Sequence, residues 1–206
     1  MNIRVTHCVR IGNHTIKKDA EKIFETDSVP FSQFADQVYQ GMGIGYPKFH
    51  KMDNLSKLGF LCADILLKNN TLEINKEPFK TGIILSNRSS SLDTDKKYFN
   101  MVRTGIASPA VFVYSLPNIV IGEICIRHGI KGENTFFITD RYNIPSQVDY
   151  INNLFELGVF NTCIGGWVEL NEENYEAFLY LAVNNADEGL MLPHTPETIK
   201  KLYQSE

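Results

Sequence analysis

The chain has 206 residues, 43% of them apolar and 21% charged, with a formal net charge of −4. These values suit a single domain spanning residues 1–206 with room for a sizeable core. They exclude a charge-rich disordered chain and the clustered basic face of a nucleic-acid binder; Lys17-Lys18 and Lys200-Lys201 read as solvated faces.

The N-terminus, Met1-Asn2-Ile3-Arg4, runs straight into an apolar alternation without the plan of a signal peptide. No run approaches the ~18 apolar residues that span a bilayer, so a cytoplasmic protein is expected. Cys8, Cys62, Cys125 and Cys163 form no C-x-x-C pair, and the five histidines show no ligand spacing. We therefore expect no disulfide framework, no metal and no cofactor, and four buried thiols.

Residues 2–10 alternate as a strand does, and 16–26 read as a short helix. Residues 28–48 receive no assignment. Leu55, Leu58, Leu61, Cys62, Ile65 and Leu66 share one helical face, with a stop at Asn69-Asn70. Residues 80–87 form a β-prone run. A polar loop, Arg88 to Asp95, precedes a helix through Phe99 and Val102 that stops at Gly105. Asn118 is placed to cap a helix from Ile119 to His128, apolar nearly all round and so expected to be buried. Thr135 to Thr139 reads as a central strand covered on both faces. A helix from Ser146 to Leu157 ends at Gly158, and Val159 to Leu170 returns as a strand. Tyr175 to Val183 fits strand or helix. Thr195 and Pro196 start a final helix. The order predicts a mixed α/β fold: a mostly parallel five-stranded sheet of βαβαβαββ type with helices on both faces.

Local motifs carry little chemistry. Gly41-Met42-Gly43-Ile44-Gly45 lacks G-x-G-x-x-G spacing and reads as a turn; Ser89-Ser90-Ser91 lacks the glycines and lysine of a phosphate loop. Glu172-Glu173 reads as a solvated pair, and no G-x-S-x-G elbow is present.

A set of short motifs in consistent order, over roughly residues 45–167, carries more. Lys51-Met52-Asp53 precedes a helix. Ala107-Ser108-Pro109 and Val113-Tyr114-Ser115-Leu116-Pro117-Asn118 follow, then Gly129-Ile130-Lys131-Gly132-Glu133-Asn134, then Gly158 through Gly165-Gly166. Together these resemble the N-terminal half of the β-ketoacyl synthases, members of the thiolase-like superfamily. The turn starting at Gly129 is similar to their G-L-x-G-P-S, with Glu133 where proline is usual.

The resemblance sets Thr139-Asp140-Arg141 on the family's T-A-C triplet, so Arg141 stands where the nucleophilic cysteine belongs. A condensing enzyme holds its chain as a thioester and needs an ionisable thiol. A guanidinium neither deprotonates nor acylates. The family's two histidines belong to a C-terminal half for which this chain has no counterpart, and His194 matches neither motif. No catalytic residue is therefore expected. Arg141 is then a surface or interface residue, a plug in a remnant pocket, or a partner for an acidic group on another protein.

The resemblance implies a pseudoenzyme that pairs with an active ketosynthase, as chain-length factors do, in fatty-acid, aryl-polyene or polyketide-type synthesis. The implied partners are a second copy or a full-length ketosynthase, with an acyl carrier protein as a further one. Ser108, Pro109, Phe112, Tyr114, Asn118, Tyr142 and Asn143 are the expected interface or pocket residues. A half-sheet of this kind is expected to expose an apolar face or edge. Two rivals stand beside this reading: a diverged condensing or acyltransferase activity on Cys163 or Cys125, and a scaffold with no acyl connection.

Overall fold

The computed structural model describes residues 2–68 and 77–205. Strand β1 (Ile3–Gly12) opens the chain, followed by β2 (Thr15–Lys18) and β3 (Glu21–Glu25). The helix expected over 16–26 is therefore a β-hairpin. Asn13 and His14 (φ 47° and 58°), then Asp19 and Ala20 (φ 52° and 72°), are left-handed pairs that reverse the chain in two residues. Asp19 secures the second turn: its carboxylate accepts from Cys8 N at 2.8 Å and lies 2.7 Å from His7 Nδ1. Neither pair has the Asn-Gly form that marks such turns in a sequence.

Residues left unassigned form helix α1 (Phe31–Gly41), a turn through Gly43 (φ 66°) and a 3₁₀ turn over Pro47–Lys51. Helix α2 (Asn54–Leu67) is capped by Asp53, which accepts from Ser56 N at 2.9 Å. The stop expected at Asn69-Asn70 lies outside the described residues. Strand β4 (Thr81–Asn87) is buried along its whole length. Then come α3 (Leu92–Arg103), the short α4 (Pro109–Val113) and α5 (Ile119–His128), closed by left-handed Gly129 (φ 68°). Asn118 does not cap α5 with its side chain; its backbone is already helical (φ −72°, ψ −6°). Strand β5 (Asn134–Ile138), α6 (Ile144–Glu156), β6 (Thr162–Asn171), β7 (Asn174–Asn184), β8 (Leu192–Pro193) and α7 (Pro196–Gln204) complete the chain.

One mixed sheet runs through the molecule in the order β3-β2-β1-β7-β6-β4-β5, with β8 added to β1. The fold class is mixed α/β as expected, but among the described residues the sheet has eight strands rather than five. Only β4 pairs in parallel, with β5 and β6; the other described pairings are antiparallel. The difference has two local causes. Residues 13–25 double back as a hairpin, and the tight turn at Glu172 (φ 59°) sends β7 back along β6 and onto β1.

Helices cover both faces. Ala177, Leu179 and Leu181 of β7 point to the face packed by α1, α2 and α5. Phe178, Tyr180 and Ala182 point to the face packed by α6 and α7. Of the two alternatives expected, an open apolar face or an open edge, the faces are thus covered. What lies open is an edge: β5 is the last strand, not a central one, and its ends Asn134 and Ile138 are exposed. Helix α5 buries Val120, Ile121 and Ile124 but leaves Ile126 outside, so it is not buried all round. No described helix is long and apolar enough to cross a membrane.

Candidate functional site

The parallel strands β4 and β5 end together at Asn87 and Ile138, while β6 runs on to Asn171, and the turn between β5 and α6 follows that end. Carboxyl ends of parallel strands are where α/β sheets place their ligands. The turn is tightly built. Thr139 N donates to Asn87 O at 2.9 Å, and Thr139 Oγ1 donates to Arg141 O at 2.8 Å. Asn143 caps α6 by accepting from Ser146 N at 3.3 Å, and Pro145 fits the first helical turn.

Asp140 and Arg141 point outward and are exposed. The side chain that enters the interior is the next one, Tyr142. Its ring stacks on Trp167 at 5.6 Å and meets Tyr203 edge-on at 5.2 Å. Its hydroxyl donates to Gln147 Oε1 at 2.8 Å. Burial raises the Tyr142 phenol well above its ordinary range, so it stays protonated and remains a donor. The buried Gln147 amide in turn donates to Gly166 O (3.0 Å) and Ile84 O (3.3 Å). Arg141 is therefore not a plug. The space behind the turn is filled by an aromatic group fixed to the floor of the sheet. Gln147→Leu should cost about 2–3 kcal/mol, because it takes the acceptor from the Tyr142 hydroxyl and the side-chain donor from the Gly166 and Ile84 carbonyls; urea unfolding measures this, and a loss under 0.5 kcal/mol would contradict it.

The other expected site residues fall in one neighbourhood around α4. Ser108 caps α4, accepting from Val111 N at 3.4 Å, and Pro109 occupies its first turn. Phe112 is 57% exposed. Tyr114 is half-buried and donates to Glu123 Oε1 at 2.9 Å. Asn118 is exposed at the start of α5. Ile106, Val113 and Leu116 join Phe112 as exposed apolar side chains. Glu123 and Lys48 behind this segment were missed; a lone Glu in an apolar helix is the signal that would have found them.

Cys125 and Cys163 are both held toward the protonated thiol. Burial pushes Cys125, within α5, up to about 11 and Cys163, fully buried on β6, higher still. Cys125 is only partly buried, unlike the other three. Among the described residues no cluster of His, Cys, Asp and Glu fits a metal.

No protein-family model matches the sequence, and no curated protein matches it. Solved structures do match. The ishigamide ketosynthase/chain length factor superposes with a TM-score of 0.68 at 17% identity over 92% of this chain. This is a ketosynthase fold. The chain spans 64% of that structure's chain. The AntDE:AntF complex, a type II polyketide synthase acyl-carrier protein with its ketosynthase, gives a TM-score of 0.64 at 15% identity, covering 89% of this chain and 62% of that one. The ketosynthase ApeO in complex with its chain length factor ApeC, from Xenorhabdus doucetiae, gives 0.59 at 12% identity. That match covers 98% of this chain and 90% of the other, so the two are close in length. Identities this low establish the ketosynthase fold, not its chemistry.

Proposed function

We propose that this chain is a non-catalytic partner subunit of a ketosynthase, with a role like that of a chain-length factor. The observation that carries the reading is the turn at Arg141: it holds no thiol, and Tyr142 fills the space behind it. The reading implies a cytoplasmic protein acting as one domain, with an acyl carrier protein as a further partner. Incubation with an acyl-carrier thioester followed by intact mass should leave the chain unmodified. A covalent acyl group on Cys125 or Cys163 would overturn the reading.

The two edges of the sheet support a docking surface. Strand β3 carries Glu21, Lys22 and Glu25 over five residues, with Lys22 and Glu25 paired. Charge of this kind blocks strand addition. Strand β5 reads Asn-Thr-Phe-Phe-Ile and carries none. The segment 106–116, tied through Ser115 to Ser91 in the loop after β4, adds the exposed apolar side chains Ile106, Phe112, Val113 and Leu116. An uncharged open edge with an apolar loop from the same subunit suits a partner of the same fold.

Light scattering after co-purification with the cognate ketosynthase should show a heterodimer; a monomer in its presence would end the proposal. Ile138 is 50% exposed, so Ile138→Lys should leave Tm unchanged. Burying its unpaired ammonium in the interface should weaken the complex by about 100-fold or more.

A further inference from the structure

The segment 106–116 is held at few points: Ile106 N donates to Met101 O at 3.0 Å, and the Phe112 ring meets Tyr98 at 5.4 Å. Its only helix, α4, has five residues, and its large apolar side chains face outward. Two contacts fix its C-terminal end. Ser91 Oγ donates to Ser115 O at 2.9 Å, and Tyr114 donates to Glu123.

Glu123 is an unusual anchor. It lies on the inner side of α5 among Val120, Ile121 and Ile124, and is 4% exposed. Burying a carboxylate costs several kcal/mol unless its charge is matched. The match is Lys48, from the 3₁₀ turn of Pro47–Lys51, whose Nζ lies 2.8 Å from Glu123 Oε2. The other oxygen takes the Tyr114 hydroxyl. Burial, together with Glu123, raises the Tyr114 phenol well above its usual range, so its proton stays available. Three separate segments meet at one buried carboxylate, where a leucine would pack into α5 with no such cost.

We infer that Lys48–Glu123–Tyr114 is a positioning clamp that presents the segment 106–116 for docking. This rests on the partner-subunit reading given above. A buried polar group fixes direction as well as distance, which apolar packing alone does not. The clamp orders the segment before the partner arrives, so binding loses less entropy.

Two variants test it. Tyr114→Phe removes the hydroxyl and keeps the ring. It should weaken ketosynthase binding about tenfold, as loss of one hydrogen bond to a charged group implies. Amide exchange across 106–116 should also accelerate in the free protein. The double variant Tyr114→Phe/Glu123→Leu replaces both partners by apolar groups, which removes the buried charge and should return Tm to the wild-type value. Docking and exchange should stay impaired in that variant. A purely structural pair would instead recover both along with Tm.

Wild-type affinity and unchanged exchange in Tyr114→Phe would overturn the clamp. If the unmodified chain does not bind the ketosynthase, the partner-subunit reading falls. The exchange measurement then tests the ordering by itself: unchanged exchange across 106–116 in Tyr114→Phe rejects it, and accelerated exchange keeps the ordering while its docking role falls with the partner.

Discussion

Gly166→Ala should remove about 4 kcal/mol or more of stability and leave little folded protein at 37 °C. Gly166 lies on β6 between β4 and β7, with φ 156°. A Cβ added there would drive into Phe178 O, and would stand 2.7 Å from Leu179 Cδ2 and 3.0 Å from Leu179 Cα. The first and last of these are backbone-held atoms of the neighbouring strand, so neither can rotate away. Relief requires prying β7 off β6, and β7 is also the strand that β1 pairs with. The Gly166 carbonyl also accepts from Gln147, so the shift would loosen the support behind Tyr142. A loss this large marks a strain mechanism rather than an ordinary substitution. Thermal unfolding of the variant decides the matter. A Tm within 5 °C of the parent would show that β6 and β7 separate more easily than their register suggests.

The same strand shows what the sequence could reveal. Gly165-Gly166 is legible as a special backbone position, because paired glycines inside an apolar strand call for close approach. The helices were equally open to reading where caps were explicit: Thr195 accepts from Thr198 N, and Gly129 and Gly158 are left-handed at their helix ends. The hairpin at 13–25 was hidden because Asn-His and Asp-Ala take a conformation that glycine usually signals. The edge position of strand β5 was hidden for another reason. Three consecutive apolar residues look the same in a central strand and in an edge strand waiting for a partner. Which one it is depends on what pairs beside it, and no local pattern records that.

The turn at Arg141 divides in the same way. That no thiol stands there can be read directly from Thr139-Asp140-Arg141. That Tyr142 turns inward instead cannot, because its environment comes from Trp167, Tyr203 and Gln147, which are 5 to 61 positions away along the chain. Tyr203 lies on α7, packed on the same sheet face as α6. The C-terminal segment therefore acts on the turn in two ways: it covers the sheet face and supplies one wall of the aromatic packing.

That segment is also where acid should act first. His194 fastens it to the body and is 5% exposed. Its Nδ1 lies 2.7 Å from Asn152 Oδ1 on α6, and its Nε2 lies 3.1 Å from the Tyr180 hydroxyl on β7. The arrangement suits the neutral ring: Nδ1–H donates to the amide oxygen and Nε2 accepts from the phenol. Burial lowers its pKa from 6.5 to about 4. In the unfolded chain the ring takes a proton near pH 6.5, while in the fold it resists down to about 4. The stability tied to His194 is therefore complete above pH 6.5, falls as pH drops through the window from 6.5 to 4, and then levels off. At 1.36 kcal/mol per unit the loss comes to about 3 kcal/mol. His128, also lowered to about 4 by burial, adds a loss of the same sign, opposed by Asp64. His194→Gln keeps a donor and an acceptor but does not titrate. Its stability at pH 7 should be lower by about 1–2 kcal/mol. Between pH 7 and 4, however, it should lose about 3 kcal/mol less than the parent. Urea unfolding at pH 7, 5.5 and 4 reads both slopes. Parallel pH profiles for the two proteins would mean that the C-terminal segment is held by Tyr203 and β8 and not by this histidine.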